Sequence, residues 1–180
     1  RYARSVSTTP VRHPQAPAPG SELPSHFPYC FGCGRDHPSG LHLTMLAGPG
    51  LTMSGRFTVA EEHQGAPGLV HGGVLAAAFD EVLGACNWLL LAPAVTGHLE
   101  VDFRKPVPVG RTVIIDAQVD AVDGRKVMTS GVGHFDDGTL VAEASGLFVQ
   151  VPLEHFAEHG RRRDVDDLAR ELGSGLELNP

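Results

Sequence analysis

The residue types able to do chemistry gather in one stretch. His71-Gly72-Gly73 opens a long apolar segment, one acid, Asp80, follows two turns on, and Thr96 comes soon after the segment ends. At a helix N-terminus the first backbone N–H groups lack intrahelical acceptors and the macrodipole is positive, while glycine lets a ligand reach the backbone. Such amides suit an oxygen that gains negative charge, as an ester or thioester carbonyl does under attack. Asp80 is a carboxylate able to act as general base, and Thr96 is a hydroxyl able to orient a water or the acid. Along one helix, at ~1.5 Å per residue, the acid stands about 10 to 12 Å from the glycines, too far to serve a substrate held by its own chain's amides. A two-fold partner would bring its Asp80 opposite, so the pattern expects an oxyanion donor from one subunit and a base from the other. Gly-Gly before a helix also makes a simple tight turn, and a lone histidine there also caps or packs. Asp80, following Ala76, Ala77 and Ala78 on an apolar helix, is what a purely structural reading leaves unexplained.

The elements that must position these groups follow from periodicity. Residues 70–91 read as a single long helix, with Val74, Leu75, Phe79, Val82, Leu83, Trp88 and Leu89 spread around more than one face, the mark of a buried helix. Glu81, about 100° further round than Asp80, is expected to be solvated or salt-bridged. Before the helix, Leu41, Leu43 and Met45 alternate with His42 and Thr44, and residues 51–59 return across the turn at 47–50, a hairpin signal. Residues 60–69 are too rich in Gly and Pro for any element and read as the loop that delivers His71. Beyond the helix, alternation marks four more strands, the last two at about 125–135 and 139–151 around the Gly138 turn. The fold class is therefore α+β, an antiparallel sheet of about six strands wrapped around one long central helix. One sheet leaves the far side of the helix and an edge strand open, so a second copy is expected to complete the core.

Composition sets the bounds. The chain has 180 residues, enough for one good core, and residues 25–152 form the expected domain, between a Pro-rich arm at 1–24 and an amphipathic tail at 153–180. A formal charge of -7, with basic residues scattered except for Arg161, Arg162 and Arg163, gives no nucleic-acid footprint. No apolar run reaches membrane-spanning length, and the three cysteines cannot all pair with one another, so the expected setting is the reducing cytoplasm. Cys30-Phe31-Gly32-Cys33-Gly34 has the spacing of a zinc knuckle, with His37 and His42 near by. The remaining cysteine lies in the helix and His42 in an alternating segment, so the knuckle reads as a Gly-rich turn with two half-buried thiols, and no metal or other cofactor is expected.

With these residues in view the chain resembles the hotdog-fold acyl-CoA thioesterases of the phenylacetate-degradation type. The resemblance rests on His63-Gln64-Gly65-Ala66-Pro67-Gly68-Leu69-Val70-His71-Gly72-Gly73, then Asp80 and Thr96, and extends from about Cys30 through Phe103-Arg104-Lys105-Pro106 to Phe148. It implies a homodimer or dimer of dimers that hydrolyses an acyl-CoA. By position, Asp80 matches the catalytic acid, Gly72 the amide that polarises the thioester carbonyl, His71 the histidine beside it and Thr96 the hydroxyl that holds water or acid. Gly73 and Gln64 are placed at the substrate by the same resemblance, Gln64 as the nearest match to an amide side chain ahead of the histidine. His37-Pro38 stands where relatives read Asn-Pro, a departure that touches no proposed role. The phosphates of coenzyme A would need cations, and Arg104 with Lys105, or Arg125 with Lys126, could supply them. A non-catalytic acyl-CoA-binding regulator and an enoyl-CoA hydratase are the alternatives on this fold. The regulators carry a basic helix-turn-helix ahead of the hotdog domain, which residues 1–24 do not resemble, and the hydratases pair acid and histidine differently.

Overall fold

The computed structural model describes residues 9–161. Six antiparallel strands form one sheet: β1 (Thr44–Ala47), β2 (Thr52–Thr58), β5 (Ala94–Phe103), β6 (Thr112–Asp123), β7 (Lys126–His134) and β8 (Leu140–Gln150). They lie in the order β1-β2-β6-β7-β8-β5. The helix α1 (Gly72–Ala85) packs on one face. Period-two alternation buries Met53, Phe57, Val113, Ile115, Val127 and Val141 beneath it, where they meet Leu75, Phe79, Val82 and Leu83 of the helix. Gly55 and Gly133 lie where the helix presses closest: a Cβ at Gly133 would stand 2.9 Å from the Phe79 ring, and one at Gly55 would collide with Val82. Close packing of helix on sheet needs these two positions bare.

The structure differs from the expected layout in three places. The central helix is shorter than 70–91, because Val70 belongs to a strand, His71 is the N-cap, and beyond Ala85 the chain tightens into a 3₁₀ turn over Cys86–Leu89. Leu91, at φ 49°, turns the chain ahead of Pro93. The loop at 60–69 is not featureless, for it holds a 3₁₀ turn at Glu61–His63 and a small hairpin of β3 (Gln64–Ala66) with β4 (Leu69–Val70). His42 is not in a strand: its φ is 48°, and β1 starts only at Thr44. Where the arm packs is left open by the sequence; the end of it docks on its own domain, since Leu23 is buried and residues 20–23 bond along β1 through Gly20 N–H to Ala47 O and Leu23 N–H to Met45 O, at 2.7 and 2.9 Å. A short helix, α2 (Glu154–His159), follows the sheet, and the rest of the expected amphipathic tail, in which Val165, Leu168 and Leu172 have helical spacing, lies outside the described residues, as do Arg162 and Arg163.

The face of α1 turned away from the sheet is built of Gly73, Ala76, Ala77, Asp80, Glu81 and Gly84, continued by Trp88 of the 3₁₀ turn, none of them fully buried. The spacing is that of one helical stripe. The sheet does not cover this side of the helix; among the described residues the segment around His26 to Cys33 packs on its Glu81 edge and the rest stays half-exposed.

Candidate functional site

The carboxylate end of the site is assembled by α1 and β5. Asp80 Oδ1 accepts a 2.7 Å hydrogen bond from Thr96 Oγ1. Thr96 reaches it from the start of β5, beside a bulge at Gly97 that shifts the pairing between Thr96↔Phe148 and His98↔Leu147. Bulges re-aim side chains in this way. Among the described residues no other side chain bonds Asp80, so its Oδ2 is left for water or substrate. Asp80 is half-buried and not enclosed as a carboxylate on a wholly buried helix would be, because it lies on the side of the helix that the sheet does not cover. It opens into a cavity of about 540 Å³ walled by Gly84, Trp88, Thr96, Phe148 and Phe156, with His26 and Glu81 at one side.

The amide end lies at the head of the helix. His71 is the N-cap, its Nδ1 accepting from Gly73 N–H at 2.9 Å. That bond uses the Gly73 amide and leaves Gly72 N–H, first in the helix, as the one that a ligand can meet. The turn is held from behind by His71 N–H to His63 O at 2.8 Å and Val70 N–H to Val107 O at 2.9 Å. His71, Gly72 and Gly73 are all exposed and none lines the cavity at Asp80. Within one chain, then, acid and amide are separate, as the helical spacing requires.

The remaining predicted residues divide by position. Gln64 is occupied within its own loop, donating through Nε2 to the Glu61 carboxylate at 2.6 Å and accepting the Gly68 amide at 2.6 Å. Arg104 bonds Glu143 at 2.9 Å and faces Asp102 at 3.5 Å, which partly neutralises it as a phosphate ligand. Lys105 is exposed next to it. Both follow Phe103, whose ring would lie 3.5 Å from a Cβ on Gly72, so this pair belongs to the amide end. Arg125 donates to Gln150 O at 3.4 Å, and Lys126 pairs in register with Val149, which puts that pair at the Thr96 end.

Sequence reasoning missed the walls of the cavity. Gly84 and Trp88 stand four and eight residues beyond Asp80, so helical spacing alone could have found them. Phe148 and His26 arrive from distant parts of the chain, without a local signal. Glu81 was expected to be solvated or salt-bridged; its side chain is only 15% exposed and faces His26 Nδ1 at 3.4 Å. Bonds to Cys30 and Glu81 hold the imidazole up at about 10. The Cys30 thiol is held down at about 3, first by its bond to Cys33 and then by that to His26, while the Cys33 thiol is pushed up, first by its bond to Cys30 and then by burial.

Comparison with known proteins agrees with this architecture. Residues 67–142 match the family model described as thioesterase superfamily. Acyl-coenzyme A thioesterase THEM4 of Bos taurus is 40% identical over 92 residues, which is 51% of this chain and 38% of that protein. The chain thus spans well under half the length of the curated relatives it matches. Among solved structures, the thioesterase superfamily protein RHA08564 superposes with a TM-score of 0.64 at 27% identity, covering 76% of this chain and 70% of its own. The Escherichia coli PaaI protein from the phenylacetic acid degradation operon superposes with a TM-score of 0.58 at 21% identity, covering 62% and 81%. The six-stranded antiparallel sheet around one helix is the hotdog fold.

Proposed function

We propose that this chain, which carries a thioesterase-superfamily domain on a hotdog fold, hydrolyses the thioester of an acyl-CoA at a site shared between two copies. The observation that carries the reading is the Thr96 to Asp80 bond of 2.7 Å, which fixes a half-buried carboxylate at the mouth of an apolar cavity. A free amide, that of Gly72, stands about 12 Å away along the same helix. A partner related by a two-fold axis brings its own Gly72 amide to this Asp80.

In that arrangement the thioester oxygen accepts from Gly72 N–H and the acyl group enters the cavity beside Trp88 and Phe148. Asp80 takes a proton from water as the water oxygen bonds the carbonyl carbon, and the negative charge grows on the oxygen held by the amide. The carbon–sulfur bond then breaks, and the departing thiolate takes the proton from Asp80. As nucleophile, Asp80 would instead form an anhydride that water opens afterwards. Lys105, and Arg104 where it can leave Glu143, face the phosphates at the amide end.

The test is thiol release from a panel of acyl-CoAs. Asp80→Asn should lower kcat by on the order of 10²-fold or more with the fold intact. Full hydrolysis by Asp80→Asn would sink the assignment, and absence of thiol release from every substrate would leave a binder. A single turnover in ¹⁸O-water adds a marker of the nucleophile route, because label found in the Asp80 carboxylate can come only from water opening the anhydride at the Asp80 carbonyl.

A further inference from the structure

We propose that His26, Cys30, Cys33 and Glu81 form a structural zinc site that ties the segment around residues 24–43 to the middle of α1, a role independent of the thioesterase reading. One donor atom from each of the four lies within 4.8 Å of every other. His26 Nδ1 is 3.1 Å from Cys33 Sγ and 3.4 Å from Glu81 Oε1, and Cys30 Sγ is 3.4 Å from Glu81 Oε2. Zinc bonds of about 2.0 Å to nitrogen and oxygen and about 2.3 Å to sulfur, arranged tetrahedrally, put donor atoms about 3.3 to 3.8 Å apart. The separations, none above 4.8 Å, reach that geometry when the donor atoms close in by about 1 Å or less, with one oxygen of Glu81 as the ligand. The zinc-knuckle spacing of the two cysteines is therefore completed by residues other than the nearby histidines. His37 Nδ1 instead accepts the Ser39 amide, and His42 Nδ1 meets Gly34 O at 2.9 Å.

Several neighbouring groups support the cluster. Gly32 N–H donates to Cys30 Sγ at 3.3 Å, and Ser25 Oγ lies 3.6 Å from Cys33 Sγ, the kind of outer bonds that orient thiolates. A Cβ on Gly32 would stand 2.6 Å from Glu81 Cδ, so glycine at the centre of the knuckle is what lets the helix carboxylate come in. Glycine at 34 likewise clears the carbonyls of Pro28 and Cys30. Two thiols, an imidazole and a carboxylate form a mixed soft donor set that suits zinc over calcium or magnesium. With four protein ligands no position is kept open for water, which makes the metal a staple and not a second reaction centre. Its anchor, Glu81, directly follows Asp80 in α1, so the staple fixes the arm and knuckle against one wall of the cavity.

The untagged chain, purified without chelator, is expected to carry about one zinc per chain by elemental mass spectrometry, and Cys30→Ser with Cys33→Ser to carry none. Cobalt exchanged into the wild type should show thiolate-to-cobalt charge transfer and the intense visible bands of a tetrahedral ion. Removing the metal should lower the melting temperature of the wild type. Equal trace metal in wild type and double variant, or a Cys30–Cys33 disulfide in freshly isolated protein, would overturn the proposal. Should the double variant fail to fold, the cobalt spectrum of the wild type decides alone, since a spectrum without sulfur ligation also overturns it.

Discussion

At the scale of single residues, the division of labour between Asp80 and Thr96 is open to a clean measurement. Thr96→Val keeps the side-chain shape and removes only the hydroxyl that bonds Asp80 Oδ1 at 2.7 Å. The carboxylate is then free to turn, and loss of alignment at a reacting group costs on the order of tenfold to a hundredfold. We expect kcat to fall by about tenfold or more, with KM little changed and stability within about 0.5 kcal/mol, since Thr96 is exposed. Thr96→Ser should restore most of the rate, and a valine variant as fast as wild type would remove Thr96 from the mechanism. His71 differs in that its Nδ1 accepts the Gly73 amide and so caps the turn that leads into Gly72.

At the scale of elements, the β6–β7 ladder contains a pH-sensitive pair. His134 Nε2 lies 2.9 Å from Asp116 Oδ2, and that bond, helped by Phe135 O, raises the imidazole above its ordinary value of 6.5. A group raised in the folded state adds stability that is fully present below its unfolded value and is lost as pH rises through the folded one. Asp116 is 54% exposed, so solvent limits the gain to under about 1 kcal/mol. Urea unfolding should show His134→Gln less stable than wild type at about pH 6 and nearly equal to it at about pH 9, and a gap independent of pH would refute the pairing. The strands themselves were legible because Val113, Ile115 and Ala117 alternate with exposed or half-exposed neighbours, a period no helix shares. The end of α1 was not, because apolar residues continue through Trp88 and Leu89 while the backbone tightens at Cys86, and composition does not distinguish the two helix types. Docking of the arm and the meeting of His26 with Glu81 were equally hidden. Both depend on contacts between residues far apart in sequence, and no periodicity encodes those.

At the scale of the whole molecule, the two sheet edges are treated differently. The β1 edge is covered by the chain's own residues 20–23, whereas β5, ten residues long, pairs with no strand but β8 among the described residues and carries the exposed ring of Phe103. A long open edge beside an uncovered helix face is what a two-fold partner can close. If the site is shared, damage to its two halves on different chains can be complemented. Gly72→Pro deletes the amide proton at the first helical position, where proline fits. His71, at φ -70° and ψ 135°, already has the extended conformation that a following proline demands. Alone, this variant should lose on the order of 10²-fold or more in kcat, as Asp80→Asn does. Co-expressed at equal levels, the two variants assort so that about half the dimers are mixed, and each mixed dimer contains one intact site and one doubly damaged site. The expected rate is roughly a quarter of wild type, far above either parent. A mixture no more active than its parents, with mixed dimers verified by mass, would show that amide and acid do not serve one another across the interface.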